Sequence, residues 1–248
     1  YFKKMKKIEI SVVIPVYNAS LSLKNLVEDL FIVLKNNFNS YELILVNDKS
    51  LDDSWDIITN LCKSYSWIKG VELRKNIGQH NSIFAGLKYA EGDRIITMDD
   101  DCQHSPKYIV DLNAELDKGH DVCYANYISK KHNLLRKLGS KINNLIVTLL
   151  FRKPWNLNLT PFRCISYQVK DEIIKNKAPS VYLDGLILSI TRNISRILVI
   201  HNDRKFGKSN YTFLKLLNLW MQMLTGFSVV PLRLASILGF FFSISGFI

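Results

Sequence analysis

The chain predicts an α/β fold, a mostly parallel sheet flanked by helices. Three observations predict it. Short β-branched apolar runs alternate with stretches in helical spacing, the pattern of an open α/β sheet. The runs lack in-and-out alternation, so they read as strands buried on both faces. Each run ends in polar or acidic residues, and ligands of such sheets bind beyond the carboxyl ends of the strands.

The elements follow in order. Ile8–Pro15 is β-branched and apolar, a first strand that ends in the turn Pro15-Val-Tyr-Asn18. Ser20 is placed to cap a helix carrying Leu21, Leu23, Leu26, Val27, Leu30, Phe31 and Leu34 at three- and four-residue spacing. Tyr41–Asn47 is a second strand, ending in Asn47-Asp-Lys-Ser50, and Asp52 opens a helix with Trp55, Ile58, Thr59 and Cys62 on one side. Trp67–Leu73 is a third strand, Gly78–Ala90 a third helix, and Glu91-Gly-Asp93 turns into a fourth strand at Arg94. A helix over Pro106–Leu116 and a strand over Asp121–Tyr127 come next. Short strands at Leu157–Ser166 and Ile194–Ile200 enclose helices around Val169–Lys175 and Leu183–Arg192.

The fourth strand ends in Asp99, Asp100 and Asp101, followed by Cys102, Gln103, His104, Ser105 and Pro106. Residues two apart on extended backbone point to one side, about 6.6 Å apart. Asp99 and Asp101 can therefore share a hard divalent cation, Mg²⁺ or Mn²⁺, which prefers oxygen ligands and commonly bridges to substrate phosphates. A solvated acidic turn capping the next helix is the alternative. Asn18 and Asp48 stand at the ends of two further strands, which favours a ligand site over three unrelated turns.

The 248 residues are 48% hydrophobic and 22% charged, a globular composition. The net charge of +11 suggests an anionic partner: a nucleotide diphosphate or an anionic membrane. No zinc-finger or RNA-binding signature accompanies it, so no nucleic acid is expected. Cys62, Cys102, Cys123 and Cys164 form no CxxC pair and read as reduced thiols. No signal peptide is recognised at the basic start.

Ser129–Lys141 is basic and leads into the apolar stretch Ile142–Phe151, which reads equally as a membrane-surface helix or an amphipathic core helix. His201–Asn210 is a polar loop, and Tyr211–Thr225 a helix with Trp220 suited to an interface. From Phe227 to Ile248 the only charge is Arg233, so the stretch reads as a transmembrane helix cut near its far end, against a buried core helix as the alternative. The expected organisation is a catalytic domain over 1–210, with a juxtamembrane segment near 130–151, an interface helix at 211–226 and a transmembrane helix at 227–248.

Four segments carry a family resemblance. They are Ser11-Val-Val-Ile-Pro-Val-Tyr-Asn18; Ile44-Leu-Val-Asn-Asp-Lys-Ser50 with Asp52 and Ser54; Leu73 to Gly86 with Asn76, Gly78 and Gln79, leading through Gly92-Asp93 into Met98 to Pro106; and Arg204-Lys-Phe-Gly-Lys-Ser-Asn-Tyr211. In order and spacing they resemble family 2 glycosyltransferases of the GT-A fold, within them the polyprenyl-phosphate, dolichol-phosphate-mannose-synthase-like group. Two departures stand out: Asn47-Asp-Lys-Ser50 where the family often has Asp-Asp-Gly-Ser, and Asp100 where the middle residue of Asp-x-Asp is usually small. The Gln-x-x-Arg-Trp motif of processive synthases is absent, which argues for single additions.

The resemblance implies inverting, metal-dependent transfer of one sugar from a nucleotide-diphosphate sugar, UDP favoured, to a membrane polyprenyl phosphate. The chain would sit at the cytoplasmic membrane, its catalytic domain facing the cytoplasm, with a homo-oligomer allowed. Pro15, Tyr17, Asn18, Asp48, Asn76, Gln79 and Asp99 would bind the nucleotide sugar, Asp99 and Asp101 the metal, and Gln103 would orient sugar or acceptor. Arg136, Arg163, Arg204 and Lys208 are the candidates for the acceptor phosphate. Asp184 reads as a base or, more simply, as a helix-starting Asp, and His104 as functional or merely a hydrogen-bonded neighbour of the acids. Asp100 reads as a solvated neighbour. Two alternatives stay open: transfer to a saccharide or cell-wall polymer, and a non-catalytic nucleotide-binding scaffold.

Overall fold

The computed structural model describes residues 8–127, 157–177 and 181–200, with single positions at 148, 236 and 246. In chain order the elements are β1 (Ile10–Val16), α1 (Leu23–Asn37), β2 (Tyr41–Asn47), α2 (Ser54–Ser64), β3 (Ile68–Glu72), α3 (Gln79–Leu87), β4 (Arg94–Thr97), α4 (Tyr108–Asp117), β5 (Val122–Tyr127), β6 (Arg163–Ser166), α5 (Tyr167–Ile174), α6 (Leu183–Ile190) and β7 (Ile194–Val199). The seven strands form one sheet in the order β3-β2-β1-β4-β6-β5-β7. All neighbours are parallel except β6, which runs antiparallel to both β4 and β5. The expected mostly parallel α/β sheet is the observed one.

Buried strands expose both faces to helices, and the sequence fills both. Val12 and Ile14 point to the layer built by Leu23, Leu30 and Leu34 of α1, Ile58 of α2 and Leu112 of α4. Val13 points the other way, with Ile44 and Ile95, onto Ile83 and Leu87 of α3, Val169 and Ile173 of α5 and Ile187 of α6. On α1 the buried positions are Leu23, Leu26, Val27, Leu30 and Leu34, the stripe that the helical spacing predicts.

The α3 layer leaves no spare room at Gly86. A Cβ there would meet Val13 Cγ1 at 2.5 Å and Val46 Cγ2 at 2.8 Å. Gly86→Ala is therefore expected to cost about 1–3 kcal/mol by overpacking, read as a lowered denaturant midpoint at unchanged slope; a neutral result would contradict this packing.

β1 is central, yet it contains Pro15, which cannot donate a ladder hydrogen bond. The β4 side of the ladder closes at Val13, paired with Thr97, and Met98 N donates to Val13 O at 3.4 Å. Backbone groups alternate sides along a strand, so Pro15 faces β4 where pairing has ended. It is buried within the strand, and β1 runs one residue past the expected end. At the helix start, Ser20 is not the cap. Its amide N–H instead donates to Asp52 Oδ2 at 3.0 Å, and α1 begins after Ser22.

β2 and β3 lie to one side of β1 and β4 to the other. The strand order reverses between β1 and β4, and a crevice opens at such a switch point beyond the carboxyl ends. The acidic turn after β4 stands at its mouth. No helix among the described residues is long and apolar enough to cross a membrane; most of 130–151 and nearly all of 201–248 lie outside the described residues.

Candidate active site

The acidic turn is built by half-buried Asp99, Asp100 and Asp101, and its sharp bend comes at Cys102, whose φ is 58°. Asp99 Oδ1 accepts from Gln79 Nε2, the first residue of α3. The Asp99 N–H donates to His104 Nδ1 at 3.3 Å, which leaves the ring proton on Nε2. His104 is 4% exposed and lies stacked against Phe162 at 5.2 Å and Tyr127 at 5.7 Å between centroids. Asp101 Oδ1 accepts from Gln103 N at 3.1 Å.

Burial, with the negative charges of Asp99 and Asp101 added, pushes the Tyr127 hydroxyl well above the ordinary phenol range. The two carboxylates thus concentrate negative potential at this strand end, and they offer only oxygen, the donor set a hard cation prefers. Among the described residues no group of three or more His, Cys, Asp or Glu surrounds a common point. The chain would supply two carboxylates and leave the remaining positions to phosphate and water, as Mg²⁺ sites commonly do.

Asp100 corrects the expectation of a solvated neighbour. Its Oδ2 accepts from Tyr17 N at 3.0 Å, and its carbonyl accepts from Ser22 Oγ at 2.8 Å. The following amides of the β1–α1 loop are held from β2's side. Asn18 N donates to Ser50 Oγ at 3.1 Å, and Ala19 N to Ser54 Oγ at 2.9 Å. Asn18 sits at φ 55° and its Oδ1 accepts from Leu51 N at 2.8 Å. Burial works to raise the Asp52 carboxyl, but hydrogen bonds from Ser54 and Ser20 outweigh it and leave the pKa lowered.

Asp48 was expected to meet the nucleoside. It is 3% exposed, and both carboxylate oxygens serve the chain: Oδ1 accepts from Ile77 N at 2.7 Å and Oδ2 from Gly78 N at 2.9 Å. Burial raises its pKa, opposed by the bonds from Ile77, Gly78 and Ser82. The carboxylate thus stands at the amino end of α3, where negative charge is favoured. Gly78, at φ 82°, makes the turn possible. Asn76 Nδ2 donates to Asp48 O at 3.1 Å. In this structure Asp48 and Asn76 shape the loop that delivers Gln79 to Asp99.

Arg163 departs most from its expected role. It is 0% exposed and cannot offer its guanidinium to a phosphate in the crevice. Nη1 pairs with Asp184, Nε donates to Thr97 Oγ1 at 3.1 Å, and Nη1 reaches Tyr124 Oη at 3.4 Å. Tyr124 Oη donates to Asp184 Oδ1 at 2.9 Å. Asp184 stands in the first turn of α6, as expected of a helix-starting Asp, but it is buried and paired with Arg163. His80, beside this cluster, has its pKa lowered first by burial and then by Arg163, against the pull of Asp184. Arg136, Arg204 and Lys208 lie outside the described residues.

Sequence reasoning missed Tyr124 as a partner of Arg163 and Gln79 as a partner of Asp99. Nothing in local spacing marks a contact 39 residues apart in the chain. A cavity of about 430 Å³ opens elsewhere, between Glu9, Asp93, Arg94, Asn113, Asp117 and Tyr167. It lies at the amino ends of β1 and β4, away from the side where parallel sheets bind ligands.

The description Glycosyl transferase family 2 matches residues 11–176. The chain belongs to glycosyl transferase family 2. This family 2 chain is 34% identical over 248 residues to the undecaprenyl-phosphate 4-deoxy-4-formamido-L-arabinose transferase of Photorhabdus laumondii, covering 100% of the chain and 76% of the relative. The protein of the same name from Proteus mirabilis is 34% identical over the same coverage. Among solved structures, glucosyl-3-phosphoglycerate synthase from Mycobacterium tuberculosis, in complex with Mn²⁺, UDP-glucose and phosphoglyceric acid, superimposes with a TM-score of 0.62 at 14% identity, over 88% of this chain and 79% of the other. S. aureus TarS does so with a TM-score of 0.54 at 18% identity, over 77% and 58%. These likenesses show the fold of the family 2 chain to be GT-A-like.

Proposed function

We propose that the chain transfers a single sugar, with inversion, from a nucleotide-diphosphate sugar to a membrane polyprenyl phosphate, using Mg²⁺ or Mn²⁺. The observation that carries the acceptor is the likeness to undecaprenyl-phosphate sugar transferases along the whole chain, past residue 176 where the family match ends. UDP is the favoured carrier. The cytoplasmic membrane, with the catalytic domain facing the cytoplasm, is the location that goes with this acceptor.

Each residue then has a task. Asp99 and Asp101 hold the metal, whose charge offsets that building on the departing nucleotide diphosphate. Gln79 and His104 fix Asp99 from its side chain and its amide. Tyr17 and Asn18 line the nucleoside side of the crevice, and Gln103 faces the sugar. The acceptor phosphate oxygen is already anionic and needs no strong base, which agrees with Asp184 being committed to Arg163. The acceptor cations are Arg136, Arg204 and Lys208.

Membranes bearing the protein are incubated with polyprenyl phosphate and a panel of nucleotide sugars, including the UDP-linked form of the sugar in the relatives' name. Mass spectrometry is expected to find one prenyl-phosphate-linked sugar, only with divalent metal. Transfer to a glycan with no prenyl-linked product would overturn the acceptor assignment.

A further inference from the structure

The acidic turn has two working faces. Asp99 and Asp101 serve one. Asp100, between them, serves the other, and gives the β1–α1 loop both its carboxylate and its carbonyl. Four successive amides of that loop, from Tyr17 to Ser20, each donate to a side-chain oxygen of another segment. The last three go to Ser50, Ser54 and Asp52, in the segment after β2. The first goes to Asp100, after β4. Cys102 Sγ, 3.8 Å from Ser22 O, adds a third contact between the same two segments. Tyr17 is thus the point where the acidic turn grips the loop that carries Asn18.

We propose that Asp100 is a positioning residue that joins the metal-binding and nucleoside-binding halves of the donor site, so that filling one half strengthens the other through the Tyr17 amide. This rests on the donor-site reading above. The physical basis is mutual ordering. A cation shared by Asp99 and Asp101 fixes the backbone of the turn, and with it the carboxylate that holds Tyr17. A nucleoside packed on Tyr17 and Asn18 fixes the same bond from its other end. Coupling of this kind is reciprocal in binding free energy. A small residue at position 100 would leave the Tyr17 N–H without its charged acceptor, and the acidic turn would then hold the loop only at Ser22, through the Asp100 carbonyl and Cys102, beyond the residues that meet the nucleoside.

That difference gives the test. Uridine has no phosphates to bridge to the ion, so any effect of metal on its affinity passes through the protein. Titration calorimetry on the full chain in detergent would measure uridine binding with and without saturating Mn²⁺, with guanosine in parallel. Mn²⁺ is expected to tighten nucleoside binding about fivefold. The gain is lost in Asp100→Ala and kept in Asp100→Asn, whose side-chain oxygen still accepts from Tyr17. Rescue by Asn separates positioning from a general loss of stability, and thermal unfolding of each variant checks that it folds. Equal tightening in wild type and Asp100→Ala, or none in wild type while UDP binds with Mn²⁺, overturns the coupling. Failure of both UDP and GDP to bind with Mn²⁺ overturns the donor-site reading, and the proposal falls with it.

Discussion

Arg163→Met is expected to destabilise the fold by about 3–5 kcal/mol, because it strands a buried carboxylate. Arg163 is fully buried, and Asp184 nearly so. The pair is held on one side by Tyr124 and on the other by Thr97. Among the described residues, removing the guanidinium leaves Asp184 hydrogen-bonded only to the Tyr124 hydroxyl. In a domain of this size the loss corresponds to a fall in melting temperature of about 6–20 °C. The double variant Arg163→Met/Asp184→Leu is expected to recover much of it, since apolar replacement of a buried ion pair is often neutral or stabilising. Denaturant midpoints of the two singles and the double decide the matter. A loss under 1 kcal/mol for Arg163→Met would mean that the pair is not buried in solution as it is here.

Asp101→Asn is expected to cost no more than about 1 kcal/mol of stability, because the Asn oxygen keeps the bond from Gln103 N, while transfer falls by about 10²–10³-fold, the scale of losing one electrostatic group aimed at developing charge. The reason lies in the local geometry. Asp101 Oδ1 accepts from the Gln103 amide, and an Asn oxygen can accept it equally well. What the substitution removes is the negative charge that, on the proposed function, would face the metal. Initial-rate measurements, together with Mn²⁺ titration, check both parts. An unchanged rate and unchanged metal affinity would remove Asp101 from the machinery.

Arg163 and Asp101 differ in how much of their placement the sequence carried. The position of Asp101 at the end of β4 was legible because its signals are local: an apolar run that stops and a two-residue spacing of carboxylates. Arg163 was not. Its guanidinium suggested a phosphate ligand, but β6 enters the sheet between β4 and β5 and puts the side chain in the interior. Burial of that strand depends on a pairing with β4 between residues far apart in the chain, Thr97 with Arg163 and Arg94 with Ser166, a separation no periodicity encodes. Asp48 is an intermediate case. Its position at a strand end was correct, while its commitment to the amides of Ile77 and Gly78 depended on where the loop after β3 comes to rest.

By itself, the sequence determined the alternation of strands and helices, the doubly buried character of β1 and β2, and the carboxylates at the end of β4. These follow from hydrophobic spacing and side-chain chemistry, which act over a few residues. Only the tertiary structure decided the antiparallel insertion of β6, the reversal of strand order between β1 and β4, and the use of Asp100 in the acidic turn to hold the β1–α1 loop. Those depend on contacts between segments far apart in the chain, where the direction a carboxylate takes is set by the nearest buried N–H that needs an acceptor.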